Sequence, residues 1–390
     1  MRDKDRLIYK VYTLRKVYEI DKIENTNYMI NVVILGGGFA GVRAGLTLKN
    51  KIKSHDIHII LIDQNSFHVF TSSLYEVATA EESEKNVVIP YKSIFRHSVE
   101  LVQGIVQEVD SKKQTIFLDN QKEYSYDYLI FALGSNTEYF DIAGVKEYGI
   151  PLKTLIDAVK IKNALKALRA TDRNKIIVGG GGFSGTELAC ELATHKGHLD
   201  ITLIQGSQIL LKELEDGVAQ LAQKRLEKGN VHLVLGEHIK KVTKEIVEVG
   251  SGKTFPYDVF IWTGGVRRNK LLGDIEVDKS LQVKDQKNIF AAGDVIIPGV
   301  APRAEKMGEI AAENVLRSIK GKPLLPYRYH HMGYIVPLGS HFATFAMGKY
   351  HISGIFAYIL QQLIFLRYLL TIVPFLEAIK RFIRFERELG

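Results

Sequence analysis

Two glycine-rich loops of nearly identical spelling, Gly36-Gly37-Gly38-Phe39-Ala40-Gly41 and Gly180-Gly181-Gly182-Phe183-Ser184-Gly185, lie 144 residues apart and leave few folds open to this chain. Each follows a β-branched apolar run, Asn31 to Leu35 before the first and Lys175 to Val178 before the second, and each opens a run of helical character. In that context the first glycine makes a tight turn, the second lets the backbone approach a pyrophosphate, and the third packs helix against sheet. The free N–H groups and dipole of the helix start then hold the anion. One such loop implies a nucleotide; two imply an electron relay.

The first unit reads as strand, helix, strand: Asn31 onward, then Gly41 to Asn50, then Ile57 to Ile62. Asp63 ends the second strand, 22 residues past Gly41, where an acid accepts hydrogen bonds from an adenosine ribose. Short alternating segments follow at Glu100 to Val109 and Gln114 to Leu118, then an apolar strand from Tyr128 that closes on Gly134. A break near Pro151 begins the second unit, with a helix at Leu155 to Leu168 ahead of the second loop. Its second strand, Ile201 to Ile204, ends in Gln205 and Gly206 instead of an acid, so the carboxylate that would repel a 2′-phosphate is missing and NADH and NADPH both stay open. Asp258 to Trp262 forms another apolar strand running into Thr263-Gly264-Gly265, and Asn288 to Val295 reads as a strand delivering Asp294 to its end.

The expected class is α/β, with two Rossmann-like dinucleotide-binding domains, the first interrupted by the second. Residues 29–150 and 272–345 belong to the first, 151–271 to the second, and 346–390 form a C-terminal amphipathic helical region for membrane association. Residues 1–28 lack the apolar core of a secretory signal. With Met29 two residues before the first strand, they read as a mis-called start or a loosely ordered basic extension.

Charge and cysteine usage narrow the function. Lys and Arg number 52 against 44 Asp and Glu, which suits an anionic surface. The sequence contains no nucleic-acid module, so a membrane is preferred and nucleic acid is not an expected partner. The single cysteine, Cys190, excludes an intramolecular disulfide and a Cys-x-x-Cys pair, so electrons must pass through a bound cofactor; the thiol itself reads as buried and inert. No carboxylate or histidine cluster argues for a metal. From about His351 the chain turns apolar, but its uncharged run stops at Leu366, short of the roughly 20 residues of a spanning helix. Beyond Pro374, Leu376, Ile379, Phe382 and Ile383 share one helical face, while Lys380, Arg381 and Arg384 lie off it. That pattern describes a basic amphipathic helix lying in a bilayer interface, or one docked on the body or on a second subunit.

Several longer stretches carry a resemblance. Asn65 to Thr79 (NSFHVFTSSLYEVAT), Asp127 to Gly134 with Ser135 to Phe140, Ile261 to Arg267 and Gly293-Asp294-Val295, together with the two loops, make the chain resemble the type II NADH:quinone oxidoreductases, single-subunit flavoproteins of the two-dinucleotide-domain superfamily. The resemblance spans roughly residues 30 to 385. It implies FAD in the first domain, at Gly36, Gly38, Phe39, Ala40, Gly41, Asp63, Gly134, Asp294, Val295 and Ala304, with Asp294 on the ribityl chain. It implies a reduced nicotinamide nucleotide in the second, at Gly180, Gly182, Gly185, Gln205 and Gly265, with Glu187 near nicotinamide and flavin. Cofactor chemistry then carries the difficult step.

A helix expected to begin near Ala304 would aim its N-terminal dipole at reduced flavin. The stretch leading into it departs from the family. Such enzymes usually present two glutamines to the quinone there, and this chain has Pro302 and Lys306 in their places, keeping Ala301, Ala304 and Gly308. Ala301, Ala304 and Lys306 are the expected quinone contacts. The resemblance further implies a homodimer, peripheral on the cytoplasmic face of the cell membrane. Two alternatives compete: a related flavoprotein with another donor or acceptor, such as a sulfide:quinone oxidoreductase, whose cysteine pair is missing here, and a flavin- or nucleotide-sensing protein.

Overall fold

The computed structural model describes residues 29–52, 56–169, 173–195, 199–348 and 350–388, and the extension expected over residues 1–28 lies outside them. Strands β1 (Ile30–Leu35), β2 (Ile57–Asp63), β3 (Glu100–Gln103) and β4 (Tyr128–Phe131) run parallel in one sheet. The chain then builds a second parallel sheet from β5 (Ile150–Pro151), β6 (Asn174–Gly179), β7 (Leu199–Gln205), β8 (His232–Leu235) and β9 (Val259–Trp262), ordered β5-β9-β6-β7-β8. It returns to the first sheet with β10 (Ile289–Ala291), which pairs with β4 and completes the order β10-β4-β1-β2-β3.

Strands of parallel sheets are covered on both faces, which is why these runs are apolar without alternation. Val32 and Ile34 of β1 enter one core cluster while Val33 and Leu35 enter another. In β6, Ile176 and Val178 face one way and Ile177 the other. Helices cover one face of each sheet. The other face is covered by a three-stranded antiparallel meander, within residues 106–125 for the first sheet and 239–256 for the second.

The helices are α1 (Phe39–Lys51), α2 (Leu74–Thr79), α3 (Leu155–Lys166), α4 (Phe183–His195), α5 (Asp216–Lys228) and α6 (Ala301–Ile319). A capping box starts α3, the Thr154 side chain accepting from Asp157 N–H while Asp157 accepts from Thr154 N–H. Helix α6 begins at Ala301, one turn before the expected start near Ala304. Val300 is its extended N-cap and Pro302 falls in the first turn, where a missing N–H costs nothing and the fixed φ is already helical. The α1–α6 crossing is tight at Gly308, where a Cβ would lie 2.0 Å from the Ala40 carbonyl oxygen.

The C-terminal region differs from the helical stretch expected from residue 346. An antiparallel meander comes first, β11 (Tyr334–Pro337), β12 (Ala343–Met347) and β13 (Tyr350–Gly354). Gly348 at φ +54° supplies the backbone conformation a tight hairpin needs, and Gly354 at φ +97° ends the strand. Helix α7 (Ile355–Ile372) then runs unbroken through Arg367, and α8 (Phe375–Glu388) follows. Counting only the uncharged run underestimates α7, because Arg367 sits on its exposed face. By length and composition alone α7 could cross a membrane. In this structure it packs Phe365, Tyr368, Leu369 and Ile372 into the body and leaves Phe356, Ile359 and Leu363 exposed.

Gly308→Ala should lower stability by about 1 to 3 kcal/mol, because the clash is with backbone that cannot turn away. Urea unfolding would check this, and an unchanged midpoint would show that the α1–α6 contact is looser than described.

Candidate functional site

The first glycine loop is held from three sides. Asp63 Oδ2 accepts from Gly37 N–H at 2.6 Å and its Oδ1 accepts from Asn65 N–H at 2.7 Å. The Gly37 carbonyl accepts from Tyr91 Oη at 3.1 Å and from His68 Nδ1 at 3.0 Å. A carbonyl only accepts, so Nδ1 carries the His68 proton and Nε2 accepts from Tyr368 Oη at 2.8 Å. Burial pulls the His68 pKa down to about 4. The same burial raises Asp63 above the usual carboxylate range despite its backbone donors. Phe39 packs edge-on against His68 at 5.0 Å and in a tilted arrangement against Tyr368 at 5.2 Å, and Phe70 meets Phe365 at 4.6 Å, so α7 buttresses the loop.

The second loop repeats the first with an amide in place of the acid. Gln205 Oε1 accepts from Gly181 N–H at 2.9 Å, while its Nε2 donates to Ser207 Oγ at 2.8 Å. Thr263 Oγ1 lies 3.0 and 2.9 Å from the carbonyls of Gly179 and Gly180. Gly265 takes its place beside this loop by accepting from Glu138 N–H at 3.0 Å.

Both loops pass the same steric test for a dinucleotide. A Cβ on Gly41 would lie 1.8 Å from the Gly36 oxygen, and one on Gly185 1.9 Å from the Gly180 oxygen, so each third glycine is required by its own fold. Gly36 and Gly180 are also confined, at φ +94° and +113°. A Cβ on Gly38 or Gly182, by contrast, would meet nothing within 4 Å. The protein has no internal use for those two glycines, and the open space above each helix start fits a pyrophosphate.

Between the loops the units touch through polar side chains. Asp294, in the short turn Gly293–Val295 after β10, accepts from Ser135 Oγ at 3.0 Å and from Gly299 N–H at 3.2 Å. Lys153 donates to Ser135 Oγ at 2.8 Å and stands 3.6 Å from Asp294 Oδ2. Val295 is buried beneath this turn. Gly134, at φ +69°, precedes Ser135 and has open space above it. Ala40 is buried, and Ala301 and Ala304 are half-buried in the first turn of α6.

Lys306, in the second turn of α6, pairs with Glu309 at 2.9 Å. Glu305 on the same helix pairs with Arg43 of α1 at 2.5 Å, and Arg43 also donates to Thr371 of α7 at 2.9 Å. Glu187 lies in the early turns of α4 and faces α2, where its charge bears on Tyr75. Burial pushes the Glu187 carboxyl up to about 8. Cys190, one turn on, is buried, and desolvation raises its thiol pKa.

Lys153, His68, Tyr91 and Tyr368 were not legible as site residues. His68 and Tyr368 are 300 residues apart, and no local pattern marks their contact.

Two glycine-loop nucleotide cradles, each on a parallel sheet, define a dinucleotide oxidoreductase, and known proteins agree. Residues 30–308 match the family described as "Pyridine nucleotide-disulphide oxidoreductase". The demethylphylloquinone reductase NdbB of Synechocystis sp. is 30% identical over 369 residues, covering 86% of this chain and 91% of that protein. A type II NADH:quinone oxidoreductase of Staphylococcus aureus is 26% identical over 353 residues, covering 80% and 88%. The structure of NDH2 from Plasmodium falciparum in complex with NADH superposes with a TM-score of 0.78 at 16% identity, covering 92% of this chain and 97% of that one. The chain belongs to the pyridine nucleotide-disulphide oxidoreductase family, and within it to the type II NADH:quinone oxidoreductases.

Gly38→Ala and Gly182→Ala should keep the wild-type melting temperature yet lose flavin and nicotinamide-nucleotide affinity respectively, whereas Gly41→Ala and Gly185→Ala should unfold. Calorimetry alongside nucleotide titration separates these outcomes. The His68 pKa gives a second expectation. Because it is lowered on folding, its contribution is fully present above about 6.5 and is lost as pH falls towards 4, a total of roughly 3 kcal/mol. Unfolding midpoints of wild type and His68→Asn should therefore converge as pH falls through that window; a constant difference would mean His68 is not neutral in the fold.

Proposed function

We propose that this protein is an FAD-dependent NADH dehydrogenase that takes a hydride from NADH and delivers two electrons to a membrane quinone without pumping protons. The carrying observation is the pair of open cradles at Gly38 and Gly182, joined across the unit boundary by Lys153, Ser135 and Asp294. When bound, FAD would supply the hydride acceptor and the two-electron donor. Gly36, Gly38, Phe39, Ala40 and Gly41 would receive its pyrophosphate, Asp63 its adenosine ribose, and Gly134, Asp294, Val295 and Ala304 its ribityl and ring end. Gly180, Gly182, Gly185, Gln205 and Gly265 would hold the nicotinamide nucleotide. Gln205 brings no charge to the strand end, so NADPH is a competent second donor.

The acceptor end rests on α6. Its N-terminal turn, at Ala301 and Ala304, presents the positive end of the helix dipole. Lys306 replaces an amide donor of the family by a cation that can hydrogen-bond a quinone carbonyl. Quinone is collected from a bilayer, and the exposed apolar side chains of α7 and α8, Phe356, Leu363, Phe375, Leu376 and Ile383 among them, suit an interfacial position. We place the protein peripherally on the cytoplasmic face of the cell membrane, as a homodimer.

Anaerobic addition of NADH to the detergent-solubilised protein should bleach the flavin, and a short-chain quinone should restore it within the same cuvette. Bleaching without return would move the acceptor away from quinone. Lys306→Ala should slow the return on the order of 10- to 100-fold and leave the bleaching rate intact. Phe356→Glu with Leu376→Glu should release the protein from anionic vesicles without changing its melting temperature; retained vesicle binding would reassign that face.

A further inference from the structure

A cavity of about 270 Å³ lies where α2, α4 and α7 meet the turn between β11 and β12. That is below the roughly 300 to 1,000 Å³ of pockets for drug-sized ligands, so it suits a small molecule. At the mouth stand Thr194, Ser340 and His341, all exposed. The floor is Tyr75 and Glu76, 3% and 4% exposed.

Hydrogen bonding on the floor runs in one direction. Tyr75 Oη donates to Glu76 Oε1 at 3.0 Å, and Gln361 Nε2 of α7 donates to Tyr75 Oη at 3.4 Å. The phenol has given its only proton to Glu76 and can only accept from the amide, which leaves the Gln361 oxygen as the free end. The two ends of this chain, Glu76 Oε2 and Gln361 Oε1, are buried oxygens without a hydrogen-bond partner. Fold stability does not explain such a pair, since a buried polar atom lacking a partner is destabilising. A molecule that brings hydrogen-bond donors would complete both.

Charge narrows which molecule that is. Glu81 and Glu191 line the same cavity as Glu76, and the lining contains no lysine or arginine among the described residues. An anion is therefore repelled. The carboxyls are also not arranged to hold a metal ion among the described residues. Phe342 and Tyr358 add aromatic walls, with His341 edge-on to Tyr358 at 5.0 Å, and such rings attract organic cations. Phe342 already carries one, the Arg225 guanidinium of α5 lying 4.4 Å from its ring centre.

We propose that this cavity binds a small organic amine in its ammonium form, whose N–H groups reach the free oxygens of Glu76 and Gln361 and whose charge is balanced by the carboxyls. The site does not depend on the quinone reading.

Burial raises Glu76 to about 8 and Glu191 to about 7; Glu191 and Glu82 add to the first shift and Glu81 to the second. Hydrogen bonds from Ser73 and Tyr75 act the other way on Glu76, as does Thr194 on Glu191. Helix α7 faces them with Tyr358 and Gln361, and the β11–β12 turn with His341. The empty cavity therefore holds protons near neutrality, and an ammonium, which favours the ionised carboxyl, displaces them. Binding should release protons and tighten as pH rises towards 8, about tenfold per unit for each proton released.

The test is isothermal titration of the flavin-loaded, detergent-solubilised protein with 1,4-diaminobutane, in two buffers of different ionisation enthalpy, which reads affinity and proton release together. The uncharged 1,4-butanediol should not bind. Glu76→Gln and Glu191→Gln should each weaken diamine binding by about tenfold or more and reduce the proton release. His341→Lys sets a fixed cation at the exposed mouth; it should weaken binding likewise, and it keeps the test open if a buried variant fails to fold. Phosphatidylethanolamine vesicles that compete with the diamine would assign the ammonium to a lipid headgroup, and vesicles that do not compete would assign it to a free amine. No diamine binding to the wild type, equal binding of the diol, or wild-type affinity in all the folded variants would overturn the site.

Discussion

The third glycine of each loop carries the rest of the architecture. At Gly41 and Gly185 the helix begins so near the preceding turn that a Cβ would sit 1.8 or 1.9 Å from a backbone oxygen. That approach brings the N-terminus of α1 or α4 over the end of its strand. It also leaves Gly38 and Gly182 projecting into open space where free N–H groups can meet an anion. The side chain ending the next strand, Asp63 or Gln205, can then reach the middle glycine's N–H.

From this shared geometry the halves diverge electrostatically. The first loop places a buried carboxyl on Gly37 and adds His68 and Tyr91 to the same peptide, so that backbone unit is pinned at both ends. The second is held by neutral groups, Gln205 on the Gly181 N–H and the Leu211 N–H and Thr186 hydroxyl on the Gly181 carbonyl. The buttress continues outward through Tyr368, so the helix that presents apolar side chains to its surroundings also hydrogen-bonds the group that fixes the first cradle. Where α2 meets α4, burial raises Glu76 and Glu187 to about 8 and Glu191 to about 7.

Much of the scaffold was readable from local pattern. The apolar runs of β1, β2, β6 and β7, the helix after each loop, Asp63 at its strand end and the departure at Gln205 all follow from residues close in sequence. Local reading failed where context outweighed pattern. Helix α6 was expected to begin near Ala304, yet it starts at Ala301 with Pro302 in its first turn, where proline is tolerated. Arg367 seemed to end an apolar run, yet it lies on the exposed side of a continuous helix. The strand β13 was hidden by its exposed apolar side chains, which read as part of the following helix.

The sequence by itself determined that the chain makes two glycine-loop nucleotide units, which acid or amide ends each second strand, and that electrons cannot use a dithiol, because these depend on backbone conformation and composition within short windows. Only the tertiary structure decided that Lys153 reaches Asp294, that Tyr368 completes His68, and that the charges of Glu76, Glu187 and Glu191 all bear on the buried Tyr75. Those pairings join residues far apart in the chain, and their energies arise from desolvation, which exists only once the surrounding elements have closed around them.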